Sequence, residues 1–264
     1  MEGTAKATIV EAIEGNMFVR MAHFARQLPQ MEVIDDPDLL LINSGLPSDT
    51  FNFVCRAKLA KSDADRRIAF AIDYFKSRQF PFAWWVGPGS QPDDLGTRLE
   101  AHGLKRVEEE LGMAMDLEKL SESHVAPDGL VIRRATRAEE VEDFARINAA
   151  NWDPPDVAVM KFYRQVAEIA LRPDSPTRFY VGYLNGEAVA ASELFLGAGV
   201  AGLYNISTLT RARNRGIGTA MTAAPLQDAR KQGVRTAILQ ASDDGKNIYA
   251  HLGFETYCDF HIYQ

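Results

Sequence analysis

Apolar positions change their period along the chain, and each change marks an element. Leu130-Val131-Ile132 opens the second half as a short strand-like run. Val141, Phe144, Ala145 and Ile147 then recur at helical spacing, which predicts a helix starting near Thr136 with Glu139 as its capping-box partner. A second helix is predicted over 156–171, before Pro173. Residues 179–184 and 188–196 read as a hairpin turned at Asn185-Gly186. A further strand covers 203–209. A glycine-containing loop follows, then a helix over 217–231 stopped by Gly233. Residues 234–240 form a short buried strand. Ser242 caps a helix reaching about His251, Gly253 ends it, and 254–263 is strand-like. This alternation predicts an α/β fold with a mixed sheet.

The first half carries a faint copy of that ending. Phe82-Ala83-Trp84-Trp85-Val86 resembles Thr236-Ala237-Ile238-Leu239-Gln240, and Leu99 to Leu104 resembles Tyr249 to Phe254 with its glycine at the same offset. A helix over 65–78 would precede the first of these strands. The polar stretch 121–129, with Pro127 and Gly129, separates the halves. Two domains are therefore expected, 1–125 and 126–264, related by duplication.

Composition narrows the function. Of 264 residues, 46% are apolar and 25% charged, and the formal net charge is -7. An acidic chain with no long basic stripe argues against a nucleic-acid partner. No apolar run approaches the ~18 residues of a membrane span. No basic-then-apolar leader is visible, so the expectation is a cytoplasmic protein without a membrane partner. Two cysteines make no disulfide framework and five scattered histidines make no metal cluster, so no metal is expected.

The chemistry concentrates in Arg213-Asn214-Arg215-Gly216-Ile217-Gly218. It lies between a predicted strand and a predicted helix. A helix N-terminus presents unpaired N–H groups and the positive end of its dipole, and glycine lets the backbone approach an anion closely. Together they can cradle a pyrophosphate, with arginines beside it. Other glycine loops fit poorly. A P-loop needs Lys and then Ser or Thr after its second glycine, where this chain has Thr219-Ala220. A dinucleotide fingerprint needs a third small residue where Met221 stands, and a later acid where Leu239 and Gln240 stand.

The segment resembles the acetyl-CoA loop of the GCN5-related N-acetyltransferases, (Gln/Arg)-x-x-Gly-x-(Gly/Ala). Ile248-Tyr249-Ala250-His251-Leu252-Gly253-Phe254 is similar to that family's second block, at the expected distance. The resemblance covers about 130–264. It implies an acyl-CoA N-acyltransferase fold, in tandem if the first half is a copy, and transfer of an acetyl group from acetyl-CoA to a primary amine on a small molecule or peptide. It implies cofactor contacts at Ser207, Thr208, Leu209, Arg213, Asn214, Arg215, Gly216, Ile217, Gly218 and Thr219, with Ser242 where the family often has Asn. It gives Tyr249 the role of hydrogen-bond donor to the departing thiolate, and Glu193, on a strand, that of general base through water. Asp153, Trp152, Phe162, Tyr204 and Asn205 become candidates for lining the acceptor site. Homodimers are common in the family. A non-catalytic acyl-CoA sensor is the competing reading. In the first half the loop's counterpart is Asp63-Ala64-Asp65-Arg66-Arg67-Ile68, acidic and free of glycine, and Leu99 stands for Tyr249. That half is expected not to bind CoA.

Overall fold

The computed structural model describes residues 2–121 and 126–264, so the centre of the expected inter-domain stretch lies outside the described residues. In chain order the elements are α1 (Glu2–His23), β1 (Glu32–Asp36), β2 (Leu39–Asn43), β3 (Phe53–Cys55), α2 (Ala64–Lys76), β4 (Ala83–Val86), α3 (Leu95–Ala101) and β5 (Arg106–Asp116). Then come β6 (Leu130–Arg134), α4 (Ala138–Ala149), α5 (Val157–Ala170), β7 (Thr177–Leu184), β8 (Glu187–Gly197), β9 (Val200–Thr208), α6 (Ile217–Lys231), β10 (Thr236–Ala241), α7 (Lys246–Leu252) and β11 (Glu255–Tyr263).

The chain forms two compact units, but they do not divide at 125/126. One is Met1–Gly112 together with Tyr257–Gln264, and the other is Met113–Thr256. The first unit takes in most of β11, which pairs antiparallel with β4 through His261↔Val86 and Tyr263↔Trp84. Reciprocal amide bonds between Lys105 and Gln264 hold its end. A strand-like C-terminus was legible in the sequence. Its partner was not, because an apolar run does not name its neighbour.

Pairing supports the duplication. In the first unit β1–β2 and β2–β3 are antiparallel and β3–β4 is parallel. In the second, β7–β8 and β8–β9 are antiparallel and β9–β10 is parallel. In both, the helix joining the parallel pair is followed by a short strand and a seven-residue helix.

In the first unit, Ile68, Ala71 and Phe75 on one face of α2 pack into a core around the fully buried Trp84. In the second, α4 and α5 cover one face of the sheet, where Phe144 meets Phe179 and Tyr163 with ring centroids 4.4 and 4.9 Å apart. Helix α6 covers the other face. Met221 presses so closely on β7 that a Cβ on Gly182 would stand 2.8 Å from its sulfur.

Two helix starts differ from expectation. Helix α4 begins at Ala138, and the carboxylate that satisfies its mouth is Glu140 rather than Glu139. Glu140 Oε2 accepts from the amides of Thr136 and Arg137 at 2.8 and 3.3 Å. Helix α7 begins at Lys246 with Gly245 before it, so Ser242 is not its side-chain cap. Its carbonyl instead accepts from the amides of Gly245 and Lys246. Helix α6 spans the predicted 217–231, although it contains Pro225.

Candidate active site

The site of the second unit begins with a departure from regular pairing. The parallel ladder of β9 and β10 runs from Ala201/Ala237 to Leu203/Leu239 and stops. Strand β9 continues to Thr208, held only by β8, so its other edge is left without a strand beyond Leu203. The β8–β9 register slips at the same place. Ala191 faces Ser207 and Glu193 faces Tyr204, so Asn205 and Ile206 together oppose Ser192. This is a β-bulge, and Asn205 within it takes the left-handed conformation, φ 51°.

Below the splayed edge the chain turns into α6. Asn214 and Gly216 both have positive φ, 59° and 75°, and Gly216 is the residue before the first helical turn. The first helical bond at this end runs from the Ala220 amide to the Gly216 carbonyl. Among the described residues, none accepts a hydrogen bond from the amides of Asn214 to Thr219. The glycine loop therefore leaves a row of free donors at the positive end of a fifteen-residue helix.

These donors border a cavity of about 570 Å³, lined by Ile206, Ser207 and Thr208 of β9, by 212–214 and 216–219 of the loop and helix start, and by Asn151, Thr222, Ser242, Asp244, Gly245, Ile248 and Tyr249. Arg213 turns its Nε back onto the Thr208 carbonyl at 3.0 Å, joining the loop to the strand end. Asn151, between α4 and α5, donates through Nδ2 to Ser207 Oγ at 2.7 Å. The Tyr249 ring lies over Gly245: a Cβ there would be 2.8 Å from its Cε2 and 3.3 Å from its hydroxyl. Gly245 thus makes room for the ring at the mouth of α7.

Of the residues named from sequence, Ser207, Thr208, Arg213, Asn214, Gly216, Ile217, Gly218, Thr219, Ser242 and Tyr249 meet in this cavity. Leu209, Arg215 and Glu193 are not in its lining. Arg215 is exposed, and Leu209 gives its amide to the Val189 carbonyl of β8. Glu193 is fully buried, and its Oε2 accepts from Asn205 Nδ2 at 2.6 Å. Trp152 and Asp153 are exposed, whereas Phe162, Tyr204 and Asn205 are half-buried. Asn151 and Gly245 were missed. Asn151 stands in a polar turn whose contact with β9 no local pattern reports, and Gly245 reads as an ordinary helix-start residue.

The first unit has no such cradle at the matching places. Asp63 is paired with Arg66 at 2.6 Å, and Arg67 with Asp36 and Asp38 at 2.7 Å. After β4 the turn amide of Gly89 is already taken, at 3.0 Å, by Glu14 of α1. A Cβ on Gly87 or Gly89 would come within 2.6 Å of that carboxylate.

Residues 118–245 match the acetyltransferase (GNAT) domain family. The second half of this chain carries a GNAT domain. The solved structures agree with that placement at the level of fold. A GCN5-related N-acetyltransferase from Kribbella flavida superposes with a TM-score of 0.70 at 18% identity, over 92% of this chain and 94% of that one. A tandem GNAT protein from the clavulanic acid biosynthesis pathway superposes at 0.62 and 14% identity, over 98% and 93%. A GCN5-related N-acetyltransferase from Sphaerobacter thermophilus gives 0.62 at 16%, over 87% and 81%. No curated protein sequence matches the chain. The whole-chain overlap with a tandem GNAT protein agrees, at the level of fold, with the pairing pattern that the two units share. The family is one of acyl-transferring enzymes that use acetyl-CoA as co-substrate. Among the described residues no group of three or more His, Cys, Asp or Glu is placed to hold a metal ion, and no helix is long and apolar enough to cross a membrane.

Proposed function

We propose that the second unit transfers an acetyl group from acetyl-CoA to a primary amine. The observation that carries this reading is the row of acceptor-free amides from Asn214 to Thr219, which borders a cavity beside the open edge of β9. Such donors at a helix N-terminus are the kind that hold a pyrophosphate. The β9 edge from Ile206 to Thr208 offers backbone groups to the amides of a pantetheine arm and an N–H toward a developing oxyanion. Acetyl-CoA supplies the activated acyl group as a thioester.

Tyr249, folded over Gly245 and facing the cavity, would donate a hydrogen bond to the departing sulfur. An ordinary phenol titrates near 10 and a thiol near 8.5, so complete proton transfer would be uphill by about 2 kcal/mol. Donation without transfer suffices. The amine must be neutral to attack, and aliphatic amines titrate near 10, so turnover should rise with pH across the neutral range. The net charge of -7 favours a cationic acceptor through long-range attraction.

Calorimetry with CoA and a free-thiol assay over a panel of amines test this reading. One CoA per chain and thiol release with at least one amine are expected. Binding without release for any amine would leave a non-catalytic acyl-CoA-binding protein. No binding would refute the cradle. Tyr249→Phe should lower kcat with little change in CoA affinity, since the ring's packing is kept and only the hydroxyl is lost.

A further inference from the structure

The bulge of β9 has its own anchor. Asn205 uses both hydrogens of its amide: Nδ2 donates to Glu193 Oε2 at 2.6 Å and to Tyr163 Oη at 2.9 Å. Glu193 is fully buried and Tyr163 almost so. Glu193 sits on β8 one residue beyond the slip in register, and Tyr163 comes from α5, which with α4 covers that face of the sheet. Ser192, opposite the bulge, points the other way, onto α6. The side-chain cluster thus meets the bulge from one face only, and it does so where the β9–β10 ladder ends and the cavity wall begins.

Two physical facts give this arrangement a purpose. A left-handed residue inside a strand is disfavoured for most side chains and tolerated best by glycine and asparagine. A hydrogen bond to a buried carboxylate is stronger than one between neutral groups. Together they hold Asn205 at φ 51°. The extra residue re-aims everything after it, which includes Ile206, Ser207 and Thr208, the β9 contribution to the cavity.

We propose that Glu193 is a positioning residue: through Asn205 it fixes the bulge that turns Ile206–Thr208 toward the cavity, and so it sets CoA affinity without taking a proton from the acceptor. The inference rests on the acetyl-CoA reading above. It replaces the general-base role with one exercised through Asn205 on the strand that would hold the pantetheine arm. Glu193→Gln keeps an oxygen that can accept from Asn205, and Asn205→Gly keeps access to the left-handed conformation while losing the anchor.

The test uses the full chain, with CoA affinity measured by calorimetry and kcat/KM followed from pH 6 to 9. E193Q, which exchanges the charged acceptor for a neutral one, should weaken CoA binding by about three- to tenfold, less than N205A does, and keep its pH profile. N205A should lose at least tenfold in CoA affinity, and N205G, which keeps the left-handed conformation but not the anchor, should recover only a small part of that loss. Should N205A fail to fold, E193Q and N205G decide the matter. E193Q that binds CoA normally but loses turnover, together with the acid limb of the profile, would make Glu193 the proton acceptor and overturn the proposal. N205A or N205G outcomes would also overturn it: N205A binding as wild type does, or N205G restoring wild-type affinity without the anchor. A wild-type chain that binds no CoA would instead remove the acetyl-CoA reading on which the inference stands.

Discussion

Single side chains in this protein answer for backbone groups that regular structure leaves unpaired. Pro225 lies inside α6 and has no N–H, so the carbonyl of Met221, four residues back, loses its helical partner. The hydroxyl of Ser192, fully buried on β8, donates to that carbonyl at 2.9 Å. Ser192→Ala should therefore cost about 1–3 kcal/mol in urea unfolding, the usual penalty of a buried orphan group. Adding Pro225→Ala should recover part of it by restoring the helical N–H. Glu140 does similar duty at the start of α4. Burial works against its charge, but the Thr136 amide and the Arg137 guanidinium outweigh it and hold its carboxyl below the ordinary range. A carboxylate with a lowered folded pKa contributes stability above its unfolded value near 4.3, and loses it as pH falls through the folded one. Glu140→Gln should thus destabilise by about 1 kcal/mol at pH 7, and by progressively less as pH falls below the ordinary carboxylate range, read from thermal midpoints across that range. Neither role was legible in the sequence. Ser192 is one more small residue in an apolar strand, and Glu139 and Glu140 differ only by where the helix happens to begin.

Among the elements, α6 and its loop were the most readable and β9 the least. Gly216 and Gly218 sit where a helix was predicted to start, and the helix ends where Gly233 takes its left-handed conformation. The two glycines nevertheless do different work. Gly216 needs positive φ, whereas a Cβ on Gly218 would find only Ile248 Cδ1, at 3.7 Å. Gly216→Ala should cost about 1–2 kcal/mol of stability and weaken CoA binding together. Gly218→Ala should leave the thermal midpoint within a degree or two, and differential scanning calorimetry separates the cases. The bulge of β9 was not foreseeable, because its register depends on β8 and a strand's own period is silent about a slip. The elements before α2 were equally opaque. Strand β2 is buried at all five positions, so it shows no alternation, and β3 has only three residues.

For the whole molecule, the sequence showed a repeated pattern of elements but not how the chain is shared between the two compact units. The copied ending of the first half was visible in Trp84-Trp85 and Gly103, since like elements leave like patterns. That Tyr257–Gln264 would join the first unit could not be seen, because the assignment depends on which strand edge is open. Removing 257–264 should expose the β4 edge. Hydrogen exchange should then show β4 amides losing protection while those of β7 and β8 keep theirs; equal loss in both units would contradict the division.

The same eight residues bear on how the protein is made. A ribosome delivers the first unit's helices and early strands first, yet the strand that closes against Trp84 and Val86 emerges only after the second unit's sequence has been translated. The β4 edge of the first unit stays open until then, so that unit cannot be completed when most of its residues have been made. That interval is when the nascent chain most needs a chaperone.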